Sequence, residues 1–196
     1  MKTLDKMTTE ELGKLFPVIV ADYCAVWPLS YLGEKRRILD SLQKFPVCRI
    51  DHVGSTAIPD LAAKPVIDIV LQFDGKIEKS KLVAAMKDMG YHLIIRKDNP
   101  PPHMMFVKGY SLEGYDELCF HIHIRKKGPC REILFKEFLI HHPHYAREYE
   151  KLKRELARKH KYNRELYTQG KEDFIQSIMA KAAVRPVTFH VQGNRR

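Results

Sequence analysis

Asp68 is the first residue that calls for chemistry. It interrupts PVIDIVLQF, residues 65–73, the most apolar stretch of the chain. A nearly continuous apolar run of that length predicts a central strand buried on both faces. A carboxylate in such a strand is costly unless it is paired or bound to a cation. Shortly upstream, Gly54-Ser55-Thr56 breaks another predicted strand. Glycine lets a backbone approach a phosphate closely. Successive N–H groups at such a turn form an anion nest, to which serine adds a donor. Lys64, just before the Asp68 strand, would neutralise phosphate charge. Gly54, Ser55, Thr56 and Lys64 are therefore candidate phosphate-binding residues, with Asp68 holding a divalent cation against the phosphates. A tight turn with a capping serine would need no ligand; the buried carboxylate tips the balance toward a site.

His121 and His123, in the alternating segment ELCFHIHIR (117–125), fall on one face of a predicted strand. If that is the Asp68 face, the three side chains make a His₂–carboxylate set. Such donors suit Zn²⁺, Mn²⁺ or Fe²⁺ better than Mg²⁺. The histidines could also hydrogen-bond a phosphate or act as acid and base; sheet histidines bonded to neighbours are the bland alternative. Asp68, His121 and His123 are thus the candidate catalytic and metal-binding residues. A divalent metal (Mn, Zn or Mg) and a nucleoside triphosphate are the candidate cofactors. His52 and Lys108 are weaker candidates of the same kinds. His141, His142 and His144, around Pro143, fit helix capping better than metal binding. Tyr145, Tyr149, Tyr162 and Tyr167 read as helix packing. Arg147, Lys151, Arg154, Arg158 and Lys161 suit the mouth of an anion cleft.

Several elements must position these groups. Thr8 or Thr9 with Glu11 opens a short helix ending near Phe16. Residues 30–44 and 78–89 have helical periodicity, the second ending at Gly90. Strands are predicted at 47–53, 65–73, 91–96, 103–110 and 117–125, the last two as a hairpin. Residues 58–64 read as a turn or one helical turn started by Pro59. KDNPPP (97–102) is a loop. Beyond Gly128-Pro129 the period becomes helical, with helices at 130–142, 144–160 and 163–183, then a short basic tail at 185–196. The fold class is α/β (α+β): a mixed sheet of four or five strands followed by a helical C-terminal third at 130–183.

The chain has 196 residues, 44% hydrophobic and 30% charged. That is enough for a single domain with its own core. No apolar run approaches a membrane span, so no membrane is implied. The four cysteines lack C-x-x-C spacing and read as thiols of a reducing cytoplasm. Lys and Arg exceed Asp and Glu by ten. Residues 1–124 hold 16 of each sign, whereas residues 125–196 hold 18 basic against 8 acidic. A basic third favours anionic partners.

HVGSTAIPDLAAKPVIDI (52–69) resembles the signature of the GrpB family, usually placed in the nucleotidyltransferase-fold superfamily. The likeness extends through MMFVKGY (104–110), FHIHI (120–124), LFKEFLIHHP (134–143), YEKLK (149–153) and YNRELYTQGKEDFI (162–175), covering about residues 18–180. It implies a nucleotidyltransferase-like mixed sheet with a Gly-Ser turn after its first core strand. The superfamily pattern has two acids, one residue apart, on the next strand and a third acid later. Here Asp68 stands alone between Val66 and Val70. Asp60 stands where the family often has glycine, and Lys136-Glu137 where Arg-Asp is common.

The expected ligand is a nucleotide or phosphorylated small molecule. The expected function is binding of that ligand, with nucleotidyl transfer as its catalytic form. A non-catalytic nucleotide-binding regulatory module is the alternative. RNA binding by the basic third ranks last, because no RNP-type aromatics, zinc knuckle or long basic arm accompanies it. The sequence commits to no oligomeric state.

Overall fold

A computed structural model describes residues 4–94 and 104–184. Strands β1 (Val47–Val53), β2 (Val66–Phe73), β3 (His92–Ile94), β4 (Met105–Ser111) and β5 (Gly114–Lys126) form one mixed sheet in the order β1-β2-β5-β4-β3. β2 pairs antiparallel with β1 and parallel with β5. β5–β4 and β4–β3 are antiparallel, so the predicted hairpin forms. The expected mixed sheet followed by a helical third is the observed architecture. The predictions for 95–102, the start of the strand at 103, and the tail at 185–196 lie outside the described residues.

The two faces of β2 have different fates. Ile67, Ile69, Leu71 and Phe73 face helices α2 (Val26–Ser41) and α3 (Lys79–Asp88), packing with Trp27, Ile38, Leu82 and Met86 in the main core. Each such side chain removed from water contributes about 1.5–3 kcal/mol. On the other face, Val70 and Val53 pack on Cys130 and on Ile133 of α4 (Arg131–His141). Helices α5 (Pro143–Lys159), α6 (Arg164–Gln169) and α7 (Glu172–Val184) follow. With α4, helices α5 and α7 build a second core in which Ile58 and Leu61 meet Phe138, Leu139, Tyr149 and Ile178. The segment after the Gly54 turn is thereby clamped by the helical third, and Asp68 lies at the seam.

Helix α1 (Thr9–Leu15) carries the expected N-cap as a full capping box, with Glu11 N–H donating to Thr8 Oγ1 and Thr8 N–H to Glu11. α2 starts at Val26 rather than at residue 30, because Pro28 is tolerated in a first helical turn. Pro143, expected to lie between helices, is itself the first residue of α5. The single helix predicted over 163–183 is two. Gly170 ends α6, and a β-carbon there would stand 2.5 Å from a Leu156 methyl, so the glycine lets this turn close onto α5. The expected turn forms at residues 58–61, where Leu61 N–H donates to the Ile58 carbonyl at 3.3 Å, and a 3₁₀ turn precedes it at Ser55–Ala57. Asp60 takes a left-handed φ of 59°, a conformation that glycine adopts without strain.

Candidate functional site

In the parallel β2–β5 register, Asp68 is opposite His121 and Val70 is opposite His123. Side chains facing each other across a ladder share a face. The histidines therefore stand on the Asp68 side. His121 Nδ1 and His123 Nε2 each lie 3.3 Å from the same Asp68 Oδ1. The three ligand atoms are all within 4.8 Å of one another. Burial pushes the Asp68 pKa up, but hydrogen bonds from His121 and His123 outweigh it and hold the carboxyl well below its usual range. Burial lowers the His121 pKa, with Asp68 opposing. The site therefore favours an ionised carboxylate beside a neutral His121, the protonation states a metal requires.

Gly54 packs directly on this cluster at φ 71°, with no room for a side chain on its Asp68 side. Burial raises the pKa of the Tyr149 phenol, and the nearby Ser55 side chain opposes that rise. Thr56 is buried; its hydroxyl donates to the Val66 carbonyl at 3.0 Å and meets His52 Nε2 at 3.0 Å. Gly54 and Ser55 thus border the Asp68 cluster, whereas the Thr56 hydroxyl is committed to joining β1 and β2. Lys64 is partly buried, and its pKa is pulled down to about 7 by burial and then by Arg164.

Three further residues join the site. The Tyr110 hydroxyl lies 2.7 Å from His121 Nε2. Strict alternation would put Tyr110 on the Lys108 face. The register irregularity between Lys108 and Tyr110, around Gly109 at φ 91°, turns it toward His121 instead. Arg164 lies 5.5 Å from the Tyr110 ring centroid, and its charge opposes the rise that burial imposes on the phenol's pKa. Lys171, between α6 and α7, lies 4.5 Å from the Tyr167 ring centroid and feels the Asp68 charge. The glycine in the hairpin strand and the charge excess beyond residue 124 were the sequence signals for these groups, but neither singles out a residue.

Other candidates go elsewhere. His52 pairs with Ile69, on the opposite sheet face, and stacks on Tyr31 at 4.9 Å. Lys108 is ion-paired with the buried Glu34 under α2. His141 and His142 bond the carbonyls of Glu137 and Phe138, as helix-end histidines do. Tyr149 and Tyr167 are buried as packing residues, whereas Tyr162 is exposed. Arg147, Lys151, Arg154, Arg158 and Lys161 line a surface groove along α5 and residues 17–20, and none of its lining residues belongs to the Asp68 cluster.

A family model described as GrpB protein matches residues 17–181. A UPF0157 protein of Pseudomonas aeruginosa is 37% identical over 158 residues, which are 80% of this chain and 64% of the relative. The UPF0157 protein YqkA of Bacillus subtilis is 33% identical over 166 residues, 82% of this chain and 46% of the relative. The chain thus spans less than two thirds of the length of these two curated relatives. The crystal structure of conserved protein GrpB from Enterococcus faecalis aligns with a TM-score of 0.72 at 27% identity, over 84% of this chain and 96% of that one.

Proposed function

The chain belongs to the GrpB family, and from that premise we propose that it holds one divalent transition metal on Asp68, His121 and His123 and binds a nucleotide or other phosphorylated small molecule against it. The observation that carries this reading is the pair of equal 3.3 Å separations from Asp68 Oδ1 to the two histidine nitrogens. Ligands about 2.0–2.1 Å from a tetrahedral zinc lie about 3.3 Å from one another. Tyr110 supports it from behind. With Nδ1 of His121 facing the ion, its Nε2–H donates to the phenol, the outer hydrogen bond that metal-bound histidines ordinarily keep. Imidazole donors favour Zn²⁺ or Mn²⁺ over Mg²⁺. When bound, the ion supplies charge neutralisation to phosphate oxygens.

The donor set suits one ion rather than two. The positions flanking Asp68 on its face are Val66 and Val70, both buried. Nucleotidyl transfer by two metals needs carboxylates that bridge both ions. Binding of a phosphorylated ligand is therefore the reading favoured, and transfer is its catalytic extension. A nucleoside triphosphate separates the two, because transfer releases pyrophosphate whereas a binding module leaves the ligand intact. No helix among the described residues is long and apolar enough to cross a membrane. The four unpaired thiols support a cytoplasmic location.

The test is titration of Mn²⁺ and Zn²⁺ into the protein and into Asp68→Asn and His123→Ala, with circular dichroism on each. One ion should bind the unaltered chain, and both substitutions should weaken it at least tenfold while the fold persists. Equal affinity in all three proteins would overturn the metal reading.

A further inference from the structure

Tyr149, Lys153 and Ala157 are the buried stripe of α5. Arg147, Lys151, Arg154 and Arg158 recur three or four residues apart and so form a second stripe, on its solvent side. Successive members stand about 4.5–6 Å apart along the axis. Lys161 continues the row past the helix end, where its carbonyl accepts the Val18 N–H at 2.7 Å. Residues 17–20 and α5 thus wall a groove of about 1330 Å³. A usual small-molecule pocket holds roughly 300–1,000 Å³. Asp60, Glu150 and Glu155 also line the groove, and Arg154 is ion-paired with Glu150 and Asp22. Among the described residues, no carboxylate lies within ion-pair distance of Arg147, Lys151, Arg158 or Lys161. Arg147 and Lys151, four residues apart, therefore repel with no acid of the chain to relieve them. Apolar groups lie open beside these charges. Ile19 is 50% and Tyr162 52% exposed within the groove, and Lys161 Nζ stands 5.4 Å from the Tyr162 ring centroid. A merely solvated helix face needs neither an exposed aromatic ring nor a facing wall.

We propose that this groove binds single-stranded nucleic acid, with phosphates on the cation row and bases against Tyr162 and Ile19. The groove is separate from the Asp68 cluster, and the inference does not rest on the metal reading. Single-strand binders combine a cationic groove that follows the backbone with aromatic rings on which bases stack. Binding of this kind reads charge rather than sequence, so it requires no RNP-type aromatics, zinc knuckle or basic arm. The repeat favours a polymer over a mononucleotide, because Arg147 and Arg158 stand about 16 Å apart along the helix. An exposed tyrosine beside cations suits a base better than an acidic side chain, since every base has a π-face.

The experiment is fluorescence anisotropy of a labelled oligouridylate of about twelve nucleotides, in chelator-treated buffer from about 0.05 to 0.3 M salt. Four unpaired cations at about 0.7 each give an expected slope of log affinity on log salt of about −2.8. Lys151→Gln and Arg158→Gln should each weaken binding about three- to tenfold and reduce the slope by about 0.7. Tyr162→Ala should weaken it about fivefold or more at an unchanged slope. All three positions are exposed, so thermal unfolding should change little. Salt-insensitive or absent binding, or unchanged affinity and slope in both cation variants, overturns the proposal. Displacement of the strand by oligoglutamate as readily as by unlabelled oligouridylate, at equal charge concentration, assigns the groove to an acidic protein and also overturns it. Zn²⁺ or Mn²⁺ should bind Lys151→Gln as it binds the unaltered chain, so failure of strand binding leaves the Asp68 reading standing.

Discussion

A β-carbon on Gly54 would stand 2.6 Å from Oδ2 of Asp68 and 3.1 Å from its Cβ. The close approach this glycine allows is therefore to a side chain of its own chain. Substitution by alanine meets two penalties, the φ of 71° and the collision with the carboxylate. With ψ at −173° this is a region nearly confined to glycine, and the first costs about 1–3 kcal/mol. The second must displace Asp68 from the histidines. Gly54→Ala should lower stability by about 1–3 kcal/mol and weaken Mn²⁺ or Zn²⁺ binding at least tenfold. Denaturant melts and metal titration on the same sample check both, and unchanged metal affinity would show that Asp68 is not positioned by this turn.

Tyr110 sets the ring of His121 through a 2.7 Å contact at Nε2. Removing an outer hydrogen bond of this kind ordinarily costs about 10–100-fold in metal affinity. Tyr110→Phe should fall in that range with its stability little changed, since the ring packing on Phe16 and Tyr115 remains. A variant that binds metal as the unaltered chain does would remove Tyr110 from the site.

His52 gives a pH signature independent of any ligand. Burial pulls its pKa down to about 4, with Asp68 opposing and Lys136 reinforcing. The unfolded chain would protonate it near pH 6.5. The native state thus binds fewer protons between these values. The His52 contribution is fully present above about pH 6.5 and is lost as pH falls through 4. Between pH 7.5 and 4.5 it should remove about 2–3 kcal/mol. His52→Asn, which cannot charge, should lack that part of the fall. Parallel denaturation curves for the two proteins would refute the assignment.

Much of the architecture was legible in local patterns. The apolar run of β2, the alternation of FHIHI and the Thr8–Glu11 pair each produced the element they predict, because strand and helix periods and capping chemistry act over a few residues. Element limits were less legible. Gly170 divides the last predicted helix because α5 packs against that turn, and a distant helix leaves no mark on local periodicity.

The candidate site divides along the same line. Local patterns establish that a lone carboxylate interrupts a buried strand, that a glycine turn precedes it, and that His121 and His123 share a face. Period-two alternation settles that last relation within one strand. It does not say which sheet face that is. Only the parallel register of β2 on β5 brings His123 onto Asp68, 55 positions away, and a register slip of one residue would send both histidines to the other face. The irregularity at Gly109 that turns Tyr110, and the docking of α6 and α7 that delivers Arg164 and Lys171, are likewise decisions of the tertiary structure. They depend on which surfaces of distant elements fit together, and that packing energy exists only once the chain has folded.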